Sequence, residues 1–208
     1  SLSVSPFNVR LLQGGTQDNG TWQTNGNPIK WLNTMIGDGG QSGFDAVNKD
    51  FRFHTFSDAT PDVNFSKGEM ADWNWIGDPI FGTGGFFYVP IISDPKVSKT
   101  MFVGTGNVWR TQTWGMGSMT RAESRQHCNE WTGDFAVVCG DWVQIATPAL
   151  TSAALGTRSG SAVSAIERAV SDTTTGWAAT GAGRVFISKN VNAVRASNVT
   201  WTRIDLPT

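Results

Sequence analysis

Internal repetition constrains this chain more than any other feature. Four segments align beneath one another. The first is LSVSPFNVRLLQGGTQDNGTWQTNGNPIKWLNTMI and the second is SGFDAVNKDFRFHTFSDATPDVNFSKGEMADWNWI. The third begins FFYVPIISDPKVSKTMFVGTGNVWRTQTWG; the fourth begins SAVSAIERAVSDTTTGWAATGAGRVFISKN and ends VTWTRID. Each reads as a small-residue strand, a turn with Pro, Asp or Asn, a second strand, a tight turn, a third strand with an aromatic, and a last strand with Trp. Such short β-rich runs broken by Gly, Asn, Asp and Pro indicate an all-β protein. The third-strand aromatics are Trp22, Phe65, Trp109 and Phe186, at spacings of 43, 44 and 77. The first two spacings match the roughly 40–50-residue period of propeller blades. An insertion after Trp109 lengthens the third.

The expected fold is therefore an all-β β-propeller of about four four-stranded blades, over residues 1–37, 41–78, 85–146 and 160–208 of a single segment. Closed propellers hold about 4–8 blades, and repeat units need neighbours to bury their faces. The wide insertions and a strand-like beginning favour an incomplete ring, part of a larger propeller, over a closed ring of four. The insertion covers about residues 111–132. Its TRAE, residues 120–123, has the capping-box pattern and predicts a short helix near 120–128, against the alternative of a polar loop with a chance match.

Charged residues make up 16% of the chain and the formal net charge is −1, which argues against a phosphate-binding field and so against nucleic acid. No apolar run approaches the roughly 18 residues of a membrane span. Cys128 and Cys139 are spaced wrongly for a CxxC metal or redox site. They are either one disulfide, which would pin the insertion to the outer strand of its own blade and suit an exported protein, or two buried thiols. His54 and His127 have no ligand-spaced partner, so no metal and no cofactor is expected.

The phrases GGTQDNGTW, IGDGG followed by FDAVNKD, MFVGTGNVWRT, and GRVFISKN followed by TWTRID resemble the BNR/Asp-box β-propeller superfamily. That superfamily holds sialidase-like proteins, xyloglucanase-type glycosidases and sortilin-type ectodomains. The resemblance implies that the turns between second and third strands, and the connections from one blade to the next, form the ligand face. Asp-boxes belong to the opposite face, in turns between third and fourth strands. TQDNG looks like an Asp-box but aligns with VGTGNVW and ATGAGRVF, and so falls on the ligand face. The true box positions, TNGNPIKW and SKN with Asn190, are degenerate.

The candidate ligand contacts on that face are Asp18, Asn19, Asp38 and Asp78. Glycosidases need two carboxylates about 5–9.5 Å apart, and the sequence leaves the catalytic residues unknown. The competing reading is turn chemistry, because Asp and Asn before Gly bond locally and tolerate left-handed backbone. A sialidase would need clustered arginines and a tyrosine nucleophile. Arg52, Arg110, Arg158 and Arg184 share no blade position, and Tyr88, on the inner-strand run FFYVPIIS, reads as a packed channel residue. Trp31, Trp142 and Trp201 recur near one outer-strand position, which points to blade packing. The functional expectation is an exported sialidase-like segment that recognises carbohydrate without a complete catalytic site. The alternatives are a structural or protein-interaction propeller, or part of a polysaccharide hydrolase. Its partners would be carbohydrate and either the remaining blades of a longer chain or another subunit.

Overall fold

The computed structural model describes residues 1–205. Sixteen strands form four four-stranded antiparallel sheets, each in plain chain order. The first sheet holds β1 (Ser3–Ser5), β2 (Asn8–Thr16), β3 (Gly20–Asn25) and β4 (Leu32–Met35). The second holds β5 (Ser42–Phe44), β6 (Arg52–Thr55), β7 (Pro61–Asn64) and β8 (Trp73–Trp75). The third holds β9 (Ile91–Ser93), β10 (Met101–Gly104), β11 (Val108–Thr111) and β12 (Val143–Gln144). The fourth holds β13 (Val163–Arg168), β14 (Gly176–Thr180), β15 (Val185–Ser188) and β16 (Thr202–Arg203). The inner strands pack in series: β1 and β2 on β5, β5 on β9, and β9 and β10 on β13. Among the described residues no hydrogen bond joins the first sheet to the fourth. The four sheets are consecutive propeller blades.

A blade between two others is covered on both faces, so its middle strands have no polar side. β6, β7 and β10 are buried at every position. Blades two and three share an apolar cluster that includes Phe51, Phe53, Val63, Ile91 and Val103. Blades three and four share another, built on Phe102, Val108, Ile166, Ala178 and Phe186. The interface between blades one and two is polar instead. The Gln13 side-chain amide donates to Phe53 O at 2.9 Å, and Arg52 Nε donates to Gln23 Oε1 at 2.9 Å. Burial pushes the Arg52 pKa down to about 10.

Two devices recur between blades. In the first, an indole N–H at the start of an outer strand donates to the main chain of the preceding blade. Trp73 reaches Thr34 O at 2.7 Å, Trp142 reaches Ile76 O at 2.7 Å and Trp201 reaches Ile145 O at 3.0 Å. In the second, an Asp just beyond an inner strand caps its own turn and reaches the next blade. Asp45 accepts from the amides of Val47, Asn48 and Lys99, from Ser98 Oγ and from Trp114 Nε1, all within 3.0 Å. Burial alone would raise the Asp45 pKa, but these donors outweigh it and hold it below the usual range. Asp94 repeats the arrangement with the amides of Lys96 and Val97 and with Arg168 Nε at 2.8 Å.

The insertion forms α1 (Arg121–Cys128). Its capping box is complete: Thr120 Oγ1 accepts from the Glu123 amide, and Glu123 Oε2 accepts from the Thr120 amide at 2.8 Å. Cys128 and Cys139 are bonded, with Cα atoms 5.8 Å apart. The insertion does not lie on its own blade, however. Asn129 pairs antiparallel with Asn74 of β8, the Glu130 amide donates to Trp73 O at 3.0 Å, and Trp131 Nε1 donates to Met70 O at 2.6 Å. It therefore adds to the outer edge of the second blade, where a strand edge offers unpaired backbone groups.

Candidate functional site

The turn TQDNG joins β2 to β3, so it lies between second and third strands. Asp18 sits at φ 61°, a left-handed conformation that Asp tolerates. Asn19 braces the turn: its side-chain amide donates to Gln17 O at 2.8 Å, and its carbonyl accepts Trp22 Nε1 at 2.6 Å. The IGDGG connection from β4 to β5 crosses directly against this turn. A Cβ on Gly15 would lie 2.3 Å from Gly40 O, and one on Gly39 would lie 2.3 Å from Gly20 O. Only glycines allow the two backbones this close.

The crossing brings two of the four candidate residues together. The Asp18 amide donates to Asp38 Oδ1 at 3.0 Å. The Asp18 side chain itself is exposed. Asp78 is placed elsewhere. Its Oδ1 accepts Trp75 Nε1 at 2.6 Å and its Oδ2 accepts the Cys139 amide at 2.7 Å, so its carboxylate anchors the insertion.

Tyr88 departs from the expectation of a packed channel residue. It is 37% exposed, because the inner strand β9 begins only at Ile91. The preceding residues form the 76–90 connection, in which Gly82, Gly84 and Gly85 take positive φ and Pro90 offers no amide. The connection is tied to the second blade by the Asp58 amide, which donates to Phe87 O at 2.7 Å. A cavity of about 380 Å³ lies beside Tyr88, lined also by Gly15, Gln17, Gly39, Gly40 and Gln41. Partial burial and the charges of Asp38 and Asp18 raise the pKa of the Tyr88 hydroxyl. Phe81, Phe86 and Phe87 are also exposed in this connection. The Phe86 ring reaches Gly181, in the turn between β14 and β15, where a Cβ would meet Phe86 Cζ at 2.5 Å. The aromatic connection thus runs across the face from the first blade toward the fourth. The sequence carried a sign of this: GTGG ahead of FFY marks a loop rather than a strand.

One buried constellation imitates catalytic geometry. Thr21 Oγ1 lies 3.4 Å from His54 Nδ1, and His54 Nε2 lies 3.0 Å from Asp62 Oδ2. A hydroxyl, an imidazole and a carboxyl in that order form a nucleophile triad when a substrate reaches the hydroxyl. Here all three side chains are fully buried, so the arrangement is structural. The arginines are equally committed. Arg184 donates to the carbonyls of Leu150, Ser152, Thr157 and Gly156, Arg110 to Val191 O, and exposed Arg158 to Gly183 O and the Asp205 carboxylate. Among the described residues no three His, Cys, Asp or Glu side chains converge as metal ligands. No helix there is long and apolar enough to cross a membrane.

No protein-family model matches the chain, and no curated protein sequence matches it. Solved structures do. The chain is similar to the GH74 xyloglucanase of Xanthomonas campestris with a TM-score of 0.60 and 12% identity, over 99% of this chain and 24% of that one. An ancestral GH74 enzyme aligns with a TM-score of 0.45 and 9% identity, over 98% of this chain and 30% of that one. The chain thus spans about a quarter of the xyloglucanase's length. At such identity the likeness shows the fold alone: this chain forms blades of a β-propeller, of the kind found in that glycoside hydrolase.

Proposed function

We propose that the chain is an exported, BNR/Asp-box-type propeller unit that recognises glycans through the face carrying TQDNG, IGDGG and the 76–90 connection. The observation that carries this reading is exposed Tyr88 beside a cavity lined also by Gln17, Gly39 and Gly40, near enough to Asp38 and Asp18 to feel their charges. Sugar rings have apolar C–H faces and hydroxyl rims. Tyr88 and Phe87, edge-to-face at 4.8 Å between centroids, offer the apolar platform. Asp18, Asn19 and Asp38 offer acceptors and a donor for hydroxyls, and Asp78 supports the face by anchoring the insertion. The disulfide favours an oxidising compartment and hence export. The role is recognition rather than hydrolysis. Asp78 has both oxygens bonded, and Asp38 accepts the Asp18 amide, so these carboxylates serve the local structure of the face.

Calorimetric titration with xyloglucan and other β-glucan oligosaccharides tests the reading. Binding is expected, with Tyr88→Ala and Asp38→Ala each weakening it at least tenfold while the melting temperature holds. Absence of binding across such a panel overturns it. The exposed Phe81, Phe86 and Phe87 favour a protein-interaction scaffold as the second reading. Loss of protein capture in Phe87→Ala, with no glycan binding by the parent chain, would support that one.

A further inference from the structure

The face opposite the TQDNG turn carries a cavity of its own, between the first and second blades. Its volume of about 610 Å³ is inside the roughly 300–1,000 Å³ of ligand pockets. Its walls are turns between first and second strands and between third and fourth strands, with Phe7, Asn25, Lys49, Asp50, Lys67 and Glu69 among them. Arg52, on β6, also lines it and is only 2% exposed. Its Nε donates to Gln23 Oε1 at 2.9 Å, and its Nη1 donates to Lys49 O and to Phe51 O at 2.8 Å each. The guanidinium carbon sits 4.6 Å from the centre of the Phe44 ring. Among the described residues its Nη2 has no hydrogen-bond partner, and no carboxylate lies within ion-pair distance of the guanidinium.

A buried charge is costly unless an opposite charge or enough hydrogen bonds meet it. Arg168, equally buried, is met by Asp94 at 2.8 Å. Arg184 is met by four carbonyls. Arg52 has neither. Burial draws its pKa down to about 10, and the charge of Asp50 offsets only part of that. The cavity beside it holds Lys49 and Lys67 against Asp50 and Glu69, so with Arg52 three cationic side chains face two carboxylates. Lys67 Nζ lies 4.0 Å from Asp50 Oδ1. One positive charge is left over, and it is the buried one. Asn25, Asn33 and Ser66 add amide and hydroxyl groups to the walls. Phe7 and Leu32 add apolar surface, 47% and 50% exposed. A ligand that matches these features has one carboxylate, several hydroxyls and an apolar ring face.

We propose that this cavity binds a uronic-acid unit of an acidic saccharide, whose carboxylate accepts from Arg52 Nη2 and whose ring lies against Phe7 and Leu32. A charge-assisted bond to a guanidinium is about twice as strong as a neutral one, and strongest away from water. Lys49 and Lys67, exposed at the rim, draw the anion in. The site shares no residue with the cavity beside Tyr88 and does not depend on that reading.

Calorimetric titration with galacturonate oligosaccharides, and with neutral galactose oligosaccharides of equal length, tests the proposal. The acidic series is expected to bind at least tenfold tighter than the neutral one. Hydrogen-exchange mass spectrometry of the galacturonate complex is expected to show protection in residues 49–52 and 66–70 and none in 16–20. Arg52→Gln is expected to weaken binding at least tenfold. Arg52 also braces Gln23 and two carbonyls, so the exposed pair Lys49→Gln and Lys67→Gln, made together, carries the test if Arg52→Gln unfolds. That double variant is expected to keep the melting temperature and weaken binding several-fold. Equal affinity for acidic and neutral oligosaccharides overturns the proposal, as does no binding of either. Protection confined to 16–20 overturns it too. Sodium acetate binding as tightly as galacturonate also overturns it, since the site then reads a bare anion and no sugar.

Discussion

His54 Nε2 lies 3.0 Å from Asp62 Oδ2 where neither side chain touches solvent. The distance alone would suggest an ion pair. Burial, however, pushes His54 down to about 4 and Asp62 up to about 7. Between those values the imidazole is uncharged and the carboxyl keeps its proton. The insertion delivers a third member, Glu130, whose carboxyl lies close enough to Asp62 for the two to shift each other. Burial and the Asp62 charge raise Glu130 to about 8. Thr21 and the rings of Phe56 and Trp73 complete the surroundings of His54.

This cluster makes stability pH-dependent with a definite sign. The raised pKa values of Asp62 and Glu130 contribute stability that is full below their unfolded values near 4 and is lost as pH rises through about 7 and 8. The lowered pKa of His54 contributes stability that is present above 6.5 and is lost as pH falls toward about 4. From pH 6.5 to 8 only the carboxyls change, so the urea midpoint should fall across that interval. Asp62→Asn should make the fall shallower. A flat profile in the parent chain would contradict the assignment of neutral carboxyls.

The indole locks should be separable by single-atom-scale substitution. Trp142→Phe leaves the buried Ile76 carbonyl without its donor, at a cost of about 1–3 kcal/mol. Trp31→Phe removes an N–H that reaches only its own exposed turn, and should change stability by less than about 0.5 kcal/mol. Urea melts of the two variants give the comparison directly.

Arg184 gathers the 150–157 connection around one buried guanidinium through four carbonyls. Lysine keeps the charge but lacks the planar fork. Arg184→Lys should therefore destabilise by about 2–3 kcal/mol, since bonds to charged groups contribute about 1.5–3 kcal/mol each and some are regained. Amide exchange should quicken first in residues 150–157. Equal protection there in both proteins would deny Arg184 this organising role.

Replacing both Cys128 and Cys139 by Ser should lower stability by about 3 kcal/mol, the loop-closure entropy of so short a ring. The insertion is held to β8 by backbone pairing as well. Its helix should persist and exchange faster, which hydrogen-exchange mass spectrometry would resolve from outright unfolding.

The order of four units, the strand-rich class and the capping box of α1 were legible because each is written in neighbouring residues. A turn at TQDNG needs only Asp, Asn and Gly in sequence, and a helix at TRAE needs only Thr and Glu three apart. Periodic aromatics likewise announced repeats of one blade. Tyr88 shows where that stops. The run FFYVPIIS has the composition of one strand, yet its first half lies on the open face, because GTGG and Pro90 keep it out of the third sheet and leave it a single bridge to Asp58.

The remaining decisions lie in contacts between distant residues. Asp18 meets Asp38 because Gly15 and Gly39 let two backbones touch. The insertion chose the edge of the second blade, not its own, because β8 had free backbone groups within reach. Trp142 and Ile76 lie 66 positions apart, and their bond exists only once the blades are stacked. Local chemistry thus settled what each blade is, and packing between blades settled which carboxylates are engaged and which tryptophans lock. Exposure is a property of the assembled surface, and no single repeat contains it.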